Sequence, residues 1–303
     1  MPAPTTVPMD AYRLAQYTVG VPCHICEGNN NFDAELCRHC FAPMALAHQS
    51  KNQKAPPQLV ATLGTAGAGK TVYLGMLMDM LSHDQDRWHL TARGAFSVSL
   101  QQKVAFAMSA CGFPAKTPNE AERWNWVHCQ ARLASQRQSA EWIMPDLPGE
   151  AILEEIEHPN TYPVVRDFLS KSSAVMILVD GAALESGEKS QDFFTMKMVS
   201  YLLEIGNHER GGWGNRPVSL VFTKADQCET CFEDTDRYAR MQAPGLWQMC
   251  NERLQNYRFF SVGVAGAVAD QSTGQGYVQL PLRIEPRGVV EPFEWIMNQL
   301  SGR

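Results

Sequence analysis

The sequence contains no apolar run long enough to cross a membrane and no excess of positive charge. Its most apolar uncharged stretch, residues 172–179, is far shorter than the roughly 20 residues that a membrane-spanning helix requires. Lysine and arginine (26) are outnumbered by aspartate and glutamate (32), so the formal charge of −6 excludes a generic attraction to nucleic-acid phosphates. We therefore expect neither a membrane span nor a nucleic-acid partner.

The chain also lacks the features of an exported protein. Residues 1–10 have neither the basic start nor the apolar core of a secretory signal. Nine cysteines, an odd number, do not indicate a disulfide framework. We expect a cytoplasmic location, in which these cysteines are metal ligands or buried thiols. With 303 residues, 45% of them hydrophobic, the chain can form one large core and a small appendage.

Four of the cysteines form two closely spaced CxxC pairs near the start of the chain. Ten residues separate the pairs, whose members are Cys23, Cys26, Cys37 and Cys40. Four thiolates in this pattern are typical of a structural zinc ion in a zinc ribbon, although the spacing is shorter than usual. A redox dithiol pair is the alternative, and it needs an exposed cysteine of low pKa in a larger fold. A third CxxC at residues 228–231 indicates two loop thiols, with a second metal site or redox control as alternatives.

The pattern of apolar residues after residue 57 predicts an α/β domain. Short apolar runs predict strands at residues 58–63, 141–146, 174–180, 218–223 and 259–264. Helical spacing predicts helices over residues 71–81, 193–205, 238–254 and 295–300. Because strands alternate with helices, the predicted fold is a doubly wound, mostly parallel sheet with helices on both faces. Residues 124–131 predict an antiparallel strand that precedes the one at 141–146.

Composition divides the chain into three segments. Residues 1–43 are assigned to the zinc ribbon, and residues 44–57 to a polar linker that ends in two prolines. Residues 58–303 are assigned to the α/β domain, in which no internal repeat is visible.

A glycine-rich segment lies between the first predicted strand and the first predicted helix of this domain. It reads Gly64-Thr65-Ala66-Gly67-Ala68-Gly69-Lys70-Thr71 and matches GxxxxGK[ST]. In such a segment the backbone amides point at the β-phosphate of a nucleotide, Lys70 reaches the β- and γ-oxygens, and Thr71 binds Mg²⁺. An ordinary glycine-rich turn is the alternative, but a chance match to all four fixed positions is on the order of 1%. The segment therefore predicts a site for nucleotide phosphates.

A second loop with a carboxylate follows the predicted strand at residues 141–146. Asp146 and Gly149 form a DxxG sequence there. The carboxylate can hold Mg²⁺ through water, and the Gly149 amide can meet the γ-phosphate. A plain Pro-Gly turn is the alternative, and the position downstream of the phosphate loop favours the nucleotide interpretation.

A third loop, at the end of the strand at 218–223, predicts selection of the base. It reads Thr223-Lys224-Ala225-Asp226. The Asp226 carboxylate can accept hydrogen bonds from guanine N1–H and the N2 amino group, and adenine offers no matching donors. Lys224 can pack over the purine ring, and Ser261, at the end of the last predicted strand, marks a further backbone contact to the base. An exposed turn is the alternative, but the order of the three loops favours GTP over ATP.

Together these motifs resemble those of P-loop GTPases of the translation-factor-related class. The opening TLGTAGAGKTVYLGML, with DLPGE and the cysteine pairs, resembles the bacterial double-GTPase-type family, over roughly residues 58–302. The resemblance implies a Ras-like domain that binds GTP and Mg²⁺, and family members are inferred to be molecular switches in bacterial signalling or conflict systems. The implied contact residues are Gly67, Gly69, Lys70 and Thr71 for phosphates and metal, Asp146 and Gly149 for the γ-phosphate, and Thr223, Lys224 and Asp226 for the base.

The sequence departs from the family pattern at positions that bear on hydrolysis. Glu150 stands where many hydrolysing relatives have a glutamine, and its charge beside the γ-phosphate predicts slow intrinsic hydrolysis. Thr223 replaces the commoner asparagine, which removes an amide that would brace the phosphate loop. For the threonine that completes the Mg²⁺ site, the proline-flanked Thr117 is preferred to Thr91. An arginine finger could come from a partner protein or from Arg123, Arg132, Arg137 or Arg166.

These observations predict a GTP-binding molecular switch with slow, partner-stimulated GTP hydrolysis. GTP or GDP, Mg²⁺ and Zn²⁺ are the expected ligands, and the residues expected at the reaction centre are Lys70, Thr71, Thr117 and Glu150. The alternative is a non-hydrolysing guanine-nucleotide adaptor that recruits partners through its zinc ribbon. An ATP-driven enzyme and a ribbon that reads nucleic acid are further alternatives, against which stand Asp226 and the acidic composition.

Overall fold

The computed structural model describes residues 20–50, 56–84, 86–136, 139–206, 212–273 and 276–301. The predictions that concern residues 1–10 and Arg137 lie outside these residues. The strands of the described residues are, in chain order, β1 (Gly20–Pro22), β2 (Asn29–Asn31), β3 (Gln58–Gly64), β4 (Trp88–Ala92), β5 (Asn125–Leu133), β6 (Ala140–Asp146), β7 (Ala174–Asp180), β8 (Val218–Thr223), β9 (Tyr257–Ser261), β10 (Gly263–Thr273) and β11 (Gly276–Arg287). The α-helices are α1 (Met44–Ser50), α2 (Lys70–His83), α3 (Ala95–Ser109), α4 (Gly149–Glu157), α5 (Pro163–Lys171), α6 (Gly181–Glu185), α7 (Ser190–Gly206), α8 (Glu229–Glu233), α9 (Thr235–Gln242), α10 (Pro244–Arg253) and α11 (Glu291–Ser301).

The central sheet has seven strands in the spatial order β4-β5-β6-β3-β7-β8-β9. The five strands β6, β3, β7, β8 and β9 are mutually parallel, whereas β5 is antiparallel to both of its neighbours. The predicted mostly parallel α/β class is therefore confirmed, as is the antiparallel strand before residue 141. The register pairs Thr62 with Asp146 and Asp180 with Thr223, so the loops that follow these strands meet at one edge of the sheet.

Apolar side chains cover both faces of this sheet. β7 lies between two parallel neighbours, and all its residues are buried. Because successive strand residues point to opposite faces, Val175 and Ile177 join one hydrophobic cluster, whereas Ala174 and Met176 join the other. The first cluster includes residues of α5 and α7, and the second includes residues of α2, α3 and α11. Among the described residues, no helix combines the length and hydrophobicity that a bilayer crossing requires.

The segment before the sheet differs from its prediction. Residues 44–50, predicted as part of a linker, form α1, and the linker interpretation is wrong for this stretch. Met44 and Leu46 are buried in the same hydrophobic cluster as residues of β3 and β5. Burial of these apolar side chains stabilises the helix against the sheet. Gln49 Oε1 lies 2.7 Å from Nδ1 of His128, on β5. The cysteine-containing segment therefore packs on the α/β domain.

Two further differences lie after β8. The helix predicted over residues 238–254 is two helices, α9 and α10, which are separated at Ala243 because Pro244 cannot continue α9. β9 ends at Ser261, and the chain continues into the antiparallel ribbon of β10 and β11, which the sequence analysis missed. The root of this ribbon adjoins the loop at residues 223–226, since the backbone nitrogen of Val264 donates to Asp226 Oδ1.

Candidate functional site

The loop between β3 and α2 has backbone positions that favour glycine. Gly67 and Gly69 have φ values of 77° and 82°, in the left-handed region that is costly for residues with a Cβ. Lys70 begins α2 directly after Gly69, as the motif predicts. The residues of this segment that line a common cavity are Ala66, Gly67, Gly69, Lys70 and Thr71.

The Lys70 ammonium is buried and folds back on its own loop. Its Nζ donates to the carbonyl oxygens of Gly64 at 2.9 Å and Thr65 at 2.7 Å. Burial lowers the pKa of Lys70 to about 8, whereas the charges of Asp146 and Glu150 raise it. An anion bound in the loop would favour the charged form, so the lysine is suited to a phosphate.

Asp146 is the centre of a cluster of polar side chains at the end of β6. Its buried carboxylate accepts three hydrogen bonds at Oδ2, from Thr71 Oγ1 at 2.9 Å, Thr117 Oγ1 at 2.7 Å and Asn125 Nδ2 at 2.9 Å. The two threonine hydroxyls are 3.1 Å apart. Thr91, the alternative to Thr117, lies on the edge strand β4. A carboxylate and two hydroxyls that converge in this way are a donor set that fits Mg²⁺.

Gly149 packs directly against the phosphate loop. A Cβ at this position would lie 2.2 Å from the backbone nitrogen of Ala66, so any larger residue would displace one of the two loops. The next residue, Glu150, lines the cavity with an exposed side chain, and its carboxylate lies 3.5 Å from Nζ of Lys116. The structure therefore places the DxxG sequence beside the phosphate loop and pairs Glu150 with a lysine near Thr117.

Thr223 and Lys224 connect the base loop to its neighbours. The Thr223 hydroxyl contacts the carbonyl oxygens of Ala68 at 2.9 Å and Val179 at 3.1 Å, so it connects the phosphate loop to the end of β7. Lys224 lines the cavity, and its Nζ donates to Asp180 Oδ2 at 2.5 Å. Both residues fix the loop that carries Asp226.

Asp226 has one satisfied and one unsatisfied carboxylate oxygen. Oδ1 accepts a hydrogen bond from the backbone nitrogen of Val264 at 3.2 Å, whereas Oδ2 is buried and has no hydrogen-bond partner among the described residues. Burial raises the pKa of Asp226 above its usual value, and the amides of Asp226 and Val264 oppose this shift. Such an oxygen is suited to a ligand with N–H donors.

The Ser261 side chain does not line the cavity, and the backbone contact to a base that is expected near this residue stays a prediction. Its hydroxyl donates to the carbonyl oxygen of Cys231 at 2.5 Å and lies 2.7 Å from the Thr235 hydroxyl. The neighbouring Val262 lines the cavity instead. The physical reason is that the Ser261 hydroxyl finds its partners on the side of α8 and α9.

One cavity of about 250 Å³ joins the phosphate loop to the base loop. Thr71, Gly149, Lys224 and Asp226 all line it. Further parts of the wall come from residues 113–117 and from Val262, Val264, Ala265 and Gln279, of which the last three belong to the ribbon. Of the arginine-finger candidates, Arg123, Arg132 and Arg166 do not line this cavity, and Arg137 lies outside the described residues.

The four N-terminal cysteines form a separate cluster. Their sulfur atoms all lie within 4.8 Å of one another, with 3.7 Å between Cys23 and Cys40 and 3.5 Å between Cys26 and Cys37. Sulfur ligands about 2.3 Å from a tetrahedral zinc are separated by about 3.8 Å, so the cluster fits zinc. Backbone amides donate to three of the sulfurs at 3.4 Å, and these donors belong to Ile25, Gly28 and His39.

The third CxxC remains a pair of buried thiols. Cys228 and Cys231 are both free and buried, and neither belongs to a group of three or more candidate metal ligands among the described residues. Cys228 Sγ lies 3.5 Å from the carbonyl oxygen of Lys224, and Cys231 Sγ lies 3.1 Å from the Ser261 hydroxyl. These contacts support the interpretation as loop thiols that pack under the base loop.

Sequence reasoning missed residues that belong to no motif. Asn125 reaches Asp146 through the antiparallel register of β5 and β6, and Val264 reaches Asp226 through the ribbon. Gln191, at the start of α7, accepts a hydrogen bond from the Thr65 hydroxyl at 2.9 Å. For Asn125, the predicted antiparallel strand contained a signal, because an asparagine at its beginning lies opposite the end of the next strand.

A family model described as Double-GTPase 2 matches residues 58–263 of the 303 in the chain, whereas no curated protein matches. Among solved structures, the chain is similar to a protein described as nucleolar GTP-binding protein 1 from Plasmodium falciparum, at 12% identity and a TM-score of 0.42, over 82% of this chain and 90% of that chain. It is also similar to the Ski7 GTPase-like domain of S. cerevisiae, bound to GDP and inorganic phosphate, at 16% identity and a TM-score of 0.44, over 82% of this chain and 51% of that chain. Because the family model spans more than half of the chain and includes all three loops of the cavity, the chain belongs to the Double-GTPase 2 family of P-loop GTPases.

Proposed function

We propose that the protein is a guanine-nucleotide switch that hydrolyses GTP slowly and that a partner protein accelerates this reaction. One observation carries the proposal. A single cavity is lined by a phosphate loop at one end and by Asp226 at the other, and the buried Oδ2 of Asp226 has no hydrogen-bond partner in the part of the chain that the structure describes. Guanine offers two N–H donors to a carboxylate in this position, and adenine does not.

The residues of the phosphate end have distinct tasks in this proposal. Lys70 exchanges its carbonyl partners for the β- and γ-phosphate oxygens, and the loop amides stabilise the charge that develops during attack by water. Gly149, which already touches the loop, offers its amide to the γ-phosphate. Thr71, Thr117 and Asp146 would hold Mg²⁺, which would neutralise phosphate charge.

Glu150 is the reason for proposing slow turnover. Its carboxylate cannot donate a hydrogen bond to orient water as a glutamine amide can, and it adds negative charge near the γ-phosphate. This residue also supports the second candidate function, an adaptor that binds guanine nucleotides without useful turnover and recruits partners through its cysteine cluster. Phosphate release separates the two candidates.

Calorimetric titration of the purified protein with GTP, GDP and ATP tests the base assignment. We expect GTP and GDP to bind at least about 100-fold more tightly than ATP, since a site built for polar donors rejects ligands that lack them. Equal affinity for ATP and GTP would contradict the proposal.

Phosphate release from GTP, with and without Mg²⁺, tests the reaction. We expect a slow release that requires Mg²⁺ and that Lys70→Met abolishes. A wild-type rate no higher than that of Lys70→Met, also in a lysate that contains the partner, would favour the adaptor.

The cysteine cluster is proposed to hold one zinc ion per chain. Metal analysis of the purified protein should find one equivalent of zinc, and Cys37→Ser should lose most of it because three thiolates and a hydroxyl bind zinc less well. Cys129→Ser is the matched control, since Cys129 is buried in the α/β domain and belongs to no metal-ligand group among the described residues. Full zinc content in Cys37→Ser would refute the assignment.

A further inference from the structure

Asn125 occupies a fixed position beside the proposed metal ligands. It is the first residue of β5, and the register pairs it with Asp146, the last residue of β6. Both flanking side chains are buried: Trp124 donates to the carbonyl oxygen of Pro118 at 3.1 Å, and Trp126 packs edge-on against Phe168. These anchors hold the strand so that the Asn125 carboxamide reaches the carboxylate.

The contact of Asn125 differs chemically from those of the two threonines. Hydroxyl oxygens have lone pairs, so Thr71 and Thr117 can turn from donating to Asp146 to binding a cation. A carboxamide nitrogen has no lone pair available for a metal, and Nδ2 of Asn125 remains a donor whether or not a metal is bound. Asn125 is therefore the side chain that can hold Asp146 in the same orientation in both states.

Asp146 needs such a partner because it is completely buried. A buried carboxylate that loses hydrogen bonds is strongly destabilised or reorients. The hydrogen bond from Asn125 to Oδ2 is 2.9 Å long, and it would be retained if the two hydroxyls turned to a cation.

We propose that Asn125 is a positioning residue of the Mg²⁺ site, which acts by orienting the Asp146 carboxylate and does not itself bind the metal. This inference rests on the proposed function of the cavity. Outer partners of metal ligands typically change metal affinity by about 10–100-fold when they are removed.

The test is the Mg²⁺ dependence of GDP affinity, measured by calorimetry in the full chain. For Asn125→Ala we expect the Mg²⁺ concentration that gives half of the gain in GDP affinity to rise about tenfold. For Asn125→Leu, which has a similar shape but no N–H donor, we expect a rise of about the same size. In EDTA both variants should bind GDP as the wild type does, because the phosphate and base loops are unchanged.

Asn251→Ala is the matched control, since the Asn251 carboxamide donates to the carbonyl oxygen of Trp247 on α10, away from the cavity. It should leave the Mg²⁺ dependence unchanged. An unchanged Mg²⁺ dependence in Asn125→Ala, or an equal loss of GDP affinity with and without Mg²⁺, would overturn the positioning role while leaving the proposed function intact. A wild-type protein that binds GDP without any response to Mg²⁺ would overturn both.

Discussion

The two ends of the nucleotide cavity are prepared for a ligand in different ways. At the phosphate end, Lys70 already has two carbonyl partners, and Asp146 accepts bonds from three side chains. At the base end, Oδ2 of Asp226 is buried and has no hydrogen-bond partner within the described ranges. A ligand must exchange existing hydrogen bonds at the first end, whereas at the second it adds bonds that the free protein lacks.

This difference teaches where affinity and selectivity arise. Exchange of hydrogen bonds contributes little by itself, so binding at the phosphate end depends on charge neutralisation. A buried oxygen without a partner costs the free protein stability and rewards only a ligand with matching donors. Removal of the Asp226 charge should therefore raise the free energy of unfolding of the free protein and weaken the binding of guanine nucleotides.

The largest expected effect is that of Asp226→Asn. Loss of two charge-assisted hydrogen bonds should weaken GTP and GDP binding by about 10²–10⁴-fold, with little change for ATP. The same variant should raise the free energy of unfolding of the nucleotide-free protein by about 1 kcal/mol, because a neutral amide is less costly to bury. Calorimetry and urea denaturation measure the two quantities. Equal weakening of ATP and GTP would show that Asp226 does not read the base.

The next effect is the pH dependence of stability that Lys70 confers. Its pKa is about 8 in the folded protein and 10.5 for the free side chain, so between these values the unfolded chain binds more protons. The free energy of unfolding should therefore rise with pH in this window, by up to about 3 kcal/mol. Urea denaturation of the wild type and Lys70→Met at pH 8 and pH 10.5 isolates this contribution. A difference between the two proteins that does not change with pH would contradict it.

A smaller effect is expected where the two ends are joined. Thr223→Val removes the hydroxyl that braces Ala68, and it should weaken GTP and GDP binding about fivefold, which corresponds to roughly 1 kcal/mol. Thr62→Val is the matched control, because the buried Thr62 hydroxyl has no partner among the described residues. It should leave binding unchanged. If the two variants behave alike in titrations, the brace has no role in binding.

The smallest effect is expected for Glu150→Gln. Removal of this exposed charge near the γ-phosphate should strengthen GTP binding about two- to threefold relative to GDP, since exposed charges interact weakly. Glu154→Gln, an exposed change one turn along α4, should leave the GTP-to-GDP ratio unchanged. A ratio that moves equally in both variants would point to a general effect of charge.

The core of the fold was predictable because its strands are short apolar runs. β3, β6, β7 and β8 match their predicted ranges within one residue at either end. The ribbon of β10 and β11 was missed, since its first strand, GVAGAVADQST, mixes small and polar residues without a regular period. α1 is only seven residues long, and its burial depends on tertiary contacts that a local pattern does not show.

The candidate site was predictable where a residue belongs to a motif. The phosphate loop, Asp146 and Asp226 follow from spacing. The structure brings the phosphate loop and Asp226 to one cavity, and the buried Asp146 contacts the cavity residues Thr71 and Thr117. Thr117 was chosen for its proline-flanked loop, and its hydroxyl does lie on Asp146, although its role in metal binding stays a prediction. Asn125 and Val264 could not be found in this way, because their contacts depend on strand register and on the unpredicted ribbon.

Because the cysteine-containing segment packs on the α/β domain, the α/β domain should not be produced without it. Ile25, Met44 and Leu46 are fully covered, and they share a hydrophobic cluster with Trp126 and Ile143 of the central sheet. A truncation that starts at residue 58 would expose apolar residues on this side of the sheet to solvent and favour self-association. Preparations for biochemistry should therefore retain the chain from Gly20 onwards, and purification buffers should be free of chelators.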